Sequence, residues 1–119
     1  MRLSSVLATL GVFVIAAPAL AQSPAPGDTA RGKQLFTNDG CYQCHGYVGQ
    51  GGMNGPRIAP MKLQQDGFFG QLRHPSFEMP PYEKALLSDA DALDIYAYLK
   101  SIPASPDAKS IPLLRDLTP

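Results

Sequence analysis

Tryptophan is absent from the 119-residue chain, and cysteine occurs only twice, at positions 41 and 44. Two cysteines so close together exclude a disulfide framework. A bridge between them would close too small a ring to constrain the unfolded chain much. An excess of charge of either sign is also missing: Lys plus Arg number 10 and Asp plus Glu number 10. That balance argues against a nucleic-acid binder held by counterion release, which needs a strongly basic face. The most apolar run, residues 6–17, is interrupted by Thr9 and Gly11 and falls short of the ~20 residues that span a bilayer. No alternating strand pattern and no internal repeat is visible. What the chain has instead is 45% hydrophobic residues, 11 glycines and 12 prolines. This suits a folded domain with long, bent loops rather than low-complexity disorder.

Residues 1–21 read as a secretory signal peptide. Arg2 supplies the positive start, residues 6–17 the apolar segment, and Ala19-Leu20-Ala21 the small-x-small cleavage site, with cleavage expected before Gln22. An uncleaved N-terminal anchor is the competing reading. The mature chain is expected to be exported, soluble and periplasmic, without a membrane span. No cysteine follows the cleavage site to take a lipid.

The mature chain divides into a flexible, Pro-rich segment at 22–27, a folded domain at 28–103 and a Pro-rich C-terminal tail at 104–119. Asp28 is placed to cap a helix over 29–38, with Leu35 and Phe36 inward and Gly40 at its end. A second helix is expected between 62 and 73, with Phe68, Phe69 and Leu72 on its apolar side and Pro75 beyond it. The clearest element covers 88–101. Ser88 caps it, Asp91 stands three residues on, and Asp89, Asp91 and Asp94 suit the positive end of its dipole. Ile95, Tyr98, Leu99 and Ile102 form its apolar stripe. Three such helices carry too few apolar residues to fill a core, so a large apolar body is expected inside.

Cys41-Tyr42-Gln43-Cys44-His45 is the attachment signature of c-type haem. Two thiols at this spacing can add to the two vinyl groups of one macrocycle, and the adjacent His45 can then reach its iron. Competing readings are a thioredoxin-like redox pair and a zinc site of Cys41, Cys44, His45 and His74. The first lacks its strand–helix context and the second its ligand spacing. The five glycines between 46 and 55 leave two readings open: a floppy loop, or backbone bent tightly against something large.

With these residues in view, the chain resembles the monohaem class I cytochromes c of the bacterial periplasmic type, over about residues 29–102. Gly32 and Phe36 match the family's first helix, and Ile95, Tyr98 and Leu99 its last. The resemblance implies an all-α, small cytochrome c-like fold of about three to four helices and long loops around one covalently bound haem c. It implies that the two helices cross closely at the glycine. It also implies that Pro56, in the Gly55-Pro56 pair, accepts a hydrogen bond from the ligand histidine through its carbonyl.

For the second axial position the candidates are Met53, Met61, His74 and Met79. Pro80 and Pro81 stiffen the loop that carries Met79, which lowers the entropy cost of holding a thioether on iron. Met79-Pro80-Pro81-Tyr82 also resembles the family's ligand loop. His45 and Met79 are thus the expected ligands, with His74 and Met61 as rivals. The stretch between His45 and Met79 is much shorter than in mitochondrial relatives, which implies a more exposed propionate edge. Arg57 is a candidate propionate partner, and Tyr82 and Tyr98 are candidates for the haem environment.

The resemblance implies one-electron transfer between redox proteins outside the cytoplasm: a dehydrogenase, an oxidase or a reductase. Dehydrogenase-associated cytochrome c subunits are as similar as free shuttles. A haem enzyme or gas-binding sensor, whose sixth position opens, is the alternative from another class.

Overall fold

A computed structural model describes residues 27–115. The expected leader, most of the expected flexible segment and the last four residues lie outside them. The described chain is helical, in the order α1 Thr29–Asn38, α2 Tyr42–His45, α3 Gln65–Arg73, α4 Asp89–Ser101, a 3-10 turn Ala108–Ser110 and α5 Pro112–Arg115. No strand occurs among the described residues. This is a small all-α architecture, as the sequence resemblance implies.

α1 begins as its sequence predicts. The Asp28 carboxylate accepts from the backbone N–H groups of Ala30 (2.9 Å) and Arg31 (3.0 Å), satisfying two of the orphan donors of the first turn. Ser88 does the same for α4, accepting from the Asp91 N–H at 3.1 Å. α3 starts at Gln65, three residues later than the apolar spacing suggests. The Met61 N–H donates to Leu99 O at 3.2 Å, which ties the chain before α3 to the end of α4 and delays the helix.

α1 and α4 cross with their backbones almost in contact. A Cβ at Gly32 would lie 2.0 Å from the carbonyl oxygen of Asp94, which no side-chain rotation could relieve. Gly32→Ala therefore forces the helices apart and is expected to cost about 3 kcal/mol. A thermal melt of the holoprotein that left the midpoint within a degree of wild type would contradict this.

The acidic residues of α4 do more than cap it. Asp94 is buried, accepts from the Asp28 backbone N–H at 2.7 Å and pairs with Arg31. Arg31 also pairs with Asp91, which accepts from the Ser88 hydroxyl at 2.7 Å. Asp89 takes Arg73 from α3 and Lys84, both at 2.7 Å. The reading of all three aspartates as dipole partners holds only in part. Asp94 is a staple between the first and last helices of the domain, and it needs its partners because an unpaired buried carboxylate is costly.

Phe36, Leu87 and Leu99 are the most deeply buried large side chains, with Ile95, Ala92, Phe68 and Leu72 around them. Tyr96, outside the expected stripe, is buried too. Its ring lies 5.4 Å from that of Phe68 and its hydroxyl donates to Leu63 O at 3.1 Å. Leu35, Phe69 and Ile102 are only partly buried against this cluster. Beyond residue 103, the tail forms the 3-10 turn and α5, and Leu113 stays exposed.

Candidate functional site

α2 is a single turn that follows α1 after Gly40 and carries Cys44 and His45, with Cys41 at its N-cap. The turn is fixed from both sides. The His45 N–H donates to Cys41 O at 3.0 Å, and His45 O accepts from the Gly51 N–H at 2.7 Å. Gly51 has φ +89°, a conformation that suits glycine. The glycine loop is therefore the bent alternative, with both Ile58 and Ala59 N–H groups bonded to Gly49 O at 2.9 Å.

His45 is buried, with Nδ1 2.9 Å from Pro56 O. A carbonyl can only accept, so Nδ1 carries the proton and Nε2 keeps its lone pair for a metal. The contact also fixes the ring's orientation. Gly55 lies against Cys44, where a Cβ would meet the Cys44 carbonyl oxygen at 2.9 Å. The Pro56 carbonyl can approach His45 because the preceding residue has no side chain.

A cavity of about 750 Å³ opens beside this turn. Cys41, Cys44 and His45 line it, as do Phe36 from α1, Phe68, Gln71 and Leu72 from α3, Ile95 and Leu99 from α4, and Met79 with Tyr82 from the loop between α3 and α4. Its wall is mostly apolar, with polar groups few and localised, as in a pocket for a large flat ligand. The expected apolar body has a place to sit.

Both cysteines are free and partly buried. Burial, reinforced by the Asp39 charge, pushes the Cys41 thiol up to about 11. Such a thiol is protonated at neutral pH, the opposite of an activated redox cysteine, which counts against the thioredoxin-like reading. The zinc reading fails on geometry: His74 is exposed at the end of α3, and no cluster of three or more His, Cys, Asp or Glu suited to a metal occurs among the described residues.

Of the candidate axial residues, Met79 and Met61 line the cavity, whereas His74 does not and Met53 is fully exposed. Tyr82 lines it as well. Its N–H donates to Leu72 O at 2.9 Å and its hydroxyl to Asp39 O at 3.3 Å, and burial, with Cys41 nearby, raises its phenol. Pro56 lines the cavity and holds His45. Arg57 and Tyr98 are not brought to it. Arg57 is exposed, donates to the Ser105 hydroxyl at 2.9 Å and faces a second cavity of about 580 Å³. Tyr98 is a core residue with its ring 5.7 Å from Phe36 and its hydroxyl on Tyr47 O at 3.3 Å.

Three residues of the site escaped sequence reasoning. Gln71 lies on the wall within reach of Met79, with Nε2 3.9 Å from Sδ. Asp39 lines the cavity with a buried Oδ2 that has no hydrogen-bond partner among the described residues, and burial raises its carboxyl. Phe77 stands on the rim, solvent-facing, at φ +60°. Only Phe77 had a local signal, an aromatic residue in a Pro-flanked loop.

Residues 27–99 match the family model described as cytochrome c oxidase, cbb3-type, subunit III. The chain belongs to this cytochrome c family. A cytochrome bc1 complex cytochrome c subunit from Corynebacterium diphtheriae is 34% identical over 85 residues, covering 68% of this chain and 30% of the relative. The chain thus spans less than a third of that relative's length. No solved structure gave a significant match. A member of this family binds haem c, with its iron, covalently, and works in electron transfer. The residues present fit that group: two cysteines and an oriented histidine stand on one wall of a large apolar cavity. No helix among the described residues is long and apolar enough to cross a membrane.

Proposed function

We propose that this cytochrome is a periplasmic one-electron carrier in which His45 and Met79 are the axial ligands, with Cys41 and Cys44 the covalent attachment points. When bound, the haem supplies a one-electron ferric/ferrous couple. The chain's residues do the rest. His45 presents Nε2 because Pro56 holds Nδ1–H. Met79 offers a soft thioether, which favours the ferrous form. Phe36, Phe68, Leu72, Ile95 and Leu99 keep water from the cavity's apolar wall and disfavour net charge there. Two filled axial positions leave nowhere for a substrate to bind, which separates a carrier from a haem enzyme or gas sensor. The observation that carries this reading is the lining of one cavity by Cys41, Cys44, the carbonyl-bonded His45 and Met79.

Redox proteins are the partners in this reading, and the relative's name, a subunit of a bc1 complex, supports that class. Free shuttling and residence in a dehydrogenase or respiratory complex both fit the site. Export rests on the signal-peptide pattern of residues 1–21.

The test is a pair of visible spectra of the periplasmically expressed protein, followed by carbon monoxide. A low-spin c-type spectrum that carbon monoxide leaves unchanged in the native reduced protein is expected. Rapid formation of a carbonyl complex would instead establish a site that opens.

A further inference from the structure

The end of α3 grips the Met79 loop through three consecutive residues. The Leu72 carbonyl accepts from the Tyr82 N–H at 2.9 Å, the Arg73 guanidinium donates to the Tyr82 carbonyl, and Gln71 reaches the Met79 sulfur at 3.9 Å. The first two contacts fix the loop's exit. The third touches the proposed ligand atom itself. Gln71 and Met79 are both partly buried and both line the cavity, and the Gln71 amide has no other hydrogen bond among the described residues.

A thioether sulfur has two lone pairs, one for a metal and one for a donor. The amide Nε2–H can only donate, so the contact is an N–H···S hydrogen bond at the long end of its range. Its strength depends on the sulfur's charge. Sulfur bound to ferric iron gives up more electron density and is the poorer acceptor. Sulfur bound to ferrous iron keeps that density and accepts better. A donor at this position therefore stabilises the reduced form more than the oxidised one.

We infer that Gln71 is a positioning residue for the Met79 thioether, and that its amide sets the ferrous-to-ferric balance by hydrogen bonding to Sδ. This rests on Met79 being the axial ligand. The glutamine orients one lone pair and leaves the other for iron. It also tells the two oxidation states apart without carrying charge, so its effect is expected to be independent of pH.

The experiment uses the mature holoprotein and its Gln71→Met variant, which keeps the length and bulk of the side chain and removes the donor. The readouts are the sulfur-to-iron charge-transfer band and the ferrous-to-ferric ratio at equilibrium with a fixed redox mediator. The expected result is a retained band, an unchanged melting temperature and a ratio lowered about threefold across pH 5–8, the scale of one modest hydrogen bond. Gln71→Asn, too short to reach, is expected to behave like Gln71→Met. An unchanged ratio with the band present overturns the inference while leaving Met79 as ligand. A folded variant that loses the band overturns it as well, because the glutamine would then only be holding the loop. Absence of the band in wild type overturns both the ligand and the inference. Should neither variant fold, side-chain amide exchange of Gln71 in the wild-type reduced protein decides. Slow exchange of one amide proton supports the bond, and exchange of both at the solvent-exposed rate overturns it.

Discussion

Met79→Ala is expected to abolish the sulfur-to-iron charge-transfer band completely and to open the reduced protein to carbon monoxide, as the proposed ligation by Met79 requires. Met79 sits on a loop stiffened by Pro80 and Pro81 and anchored by the Tyr82 N–H to Leu72 O at 2.9 Å. Because that anchoring is through the backbone, alanine at 79 leaves the loop in place and removes only the sulfur. The cavity should not close over the gap by recruiting another ligand from nearby in sequence: His74 is exposed at the end of α3 and Met53 is exposed in the glycine loop. The remaining thioether on the wall, Met61, is tied through its backbone to Leu99 at 3.2 Å. The variant's potential falls, since water or hydroxide favours the ferric state relative to a thioether. An unchanged band in Met79→Ala would place a different residue on iron, and Met61→Ala would then be the variant to lose it.

The second large effect is on the cysteines. Cys41→Ala combined with Cys44→Ala is expected to yield a chain with no haem retained through denaturing electrophoresis, and with far-UV helical signal reduced by half or more. The first part follows from the loss of both thioether bonds. The second follows from magnitude. Kept dry, a void of about 750 Å³ is far larger than the single-side-chain cavities that already cost a domain several kcal/mol. Flooding it with water would instead wet Phe36, Phe68, Leu72, Ile95 and Leu99, which form much of the core. Either way the helices lose their common partner. A colourless double variant with wild-type helical content would show that the helices hold themselves together unaided.

Much of this arrangement was legible before any coordinates. Cys41, Cys44 and His45 announce themselves because the C-x-x-C-H signature fixes residue types at fixed local spacing. Asp28 and Ser88 were readable as caps because capping is settled within one helical turn. Gly32 was readable through the family resemblance, and its role is plain once the Asp94 carbonyl is seen 2.0 Å from where a Cβ would be. What stayed hidden depends on tertiary direction. Arg57 follows the key proline in sequence, yet its side chain turns to Ser105. Tyr96 lies about 200° around α4 from Tyr98, off the apolar stripe, and only packing against Phe68 decides that it is core as well. Asp94 reads as one more acidic helix residue until the start of α1 is laid on it. Gln71 carries no motif, because a donor to a sulfur eight residues away is defined by a loop's path.

The crossing of α1 and α4 also bears on the order of biogenesis. It joins Asp28 to Asp94 across 66 positions and Arg31 to Asp94 across 63, so it closes a ring of chain that contains both cysteines. Until that clasp forms, the two thiols lie on a strand of polypeptide open to whatever machinery delivers the porphyrin. Afterwards they face a walled interior. Attachment before closure therefore meets open thiols, whereas attachment after it has to work inside the cavity walls.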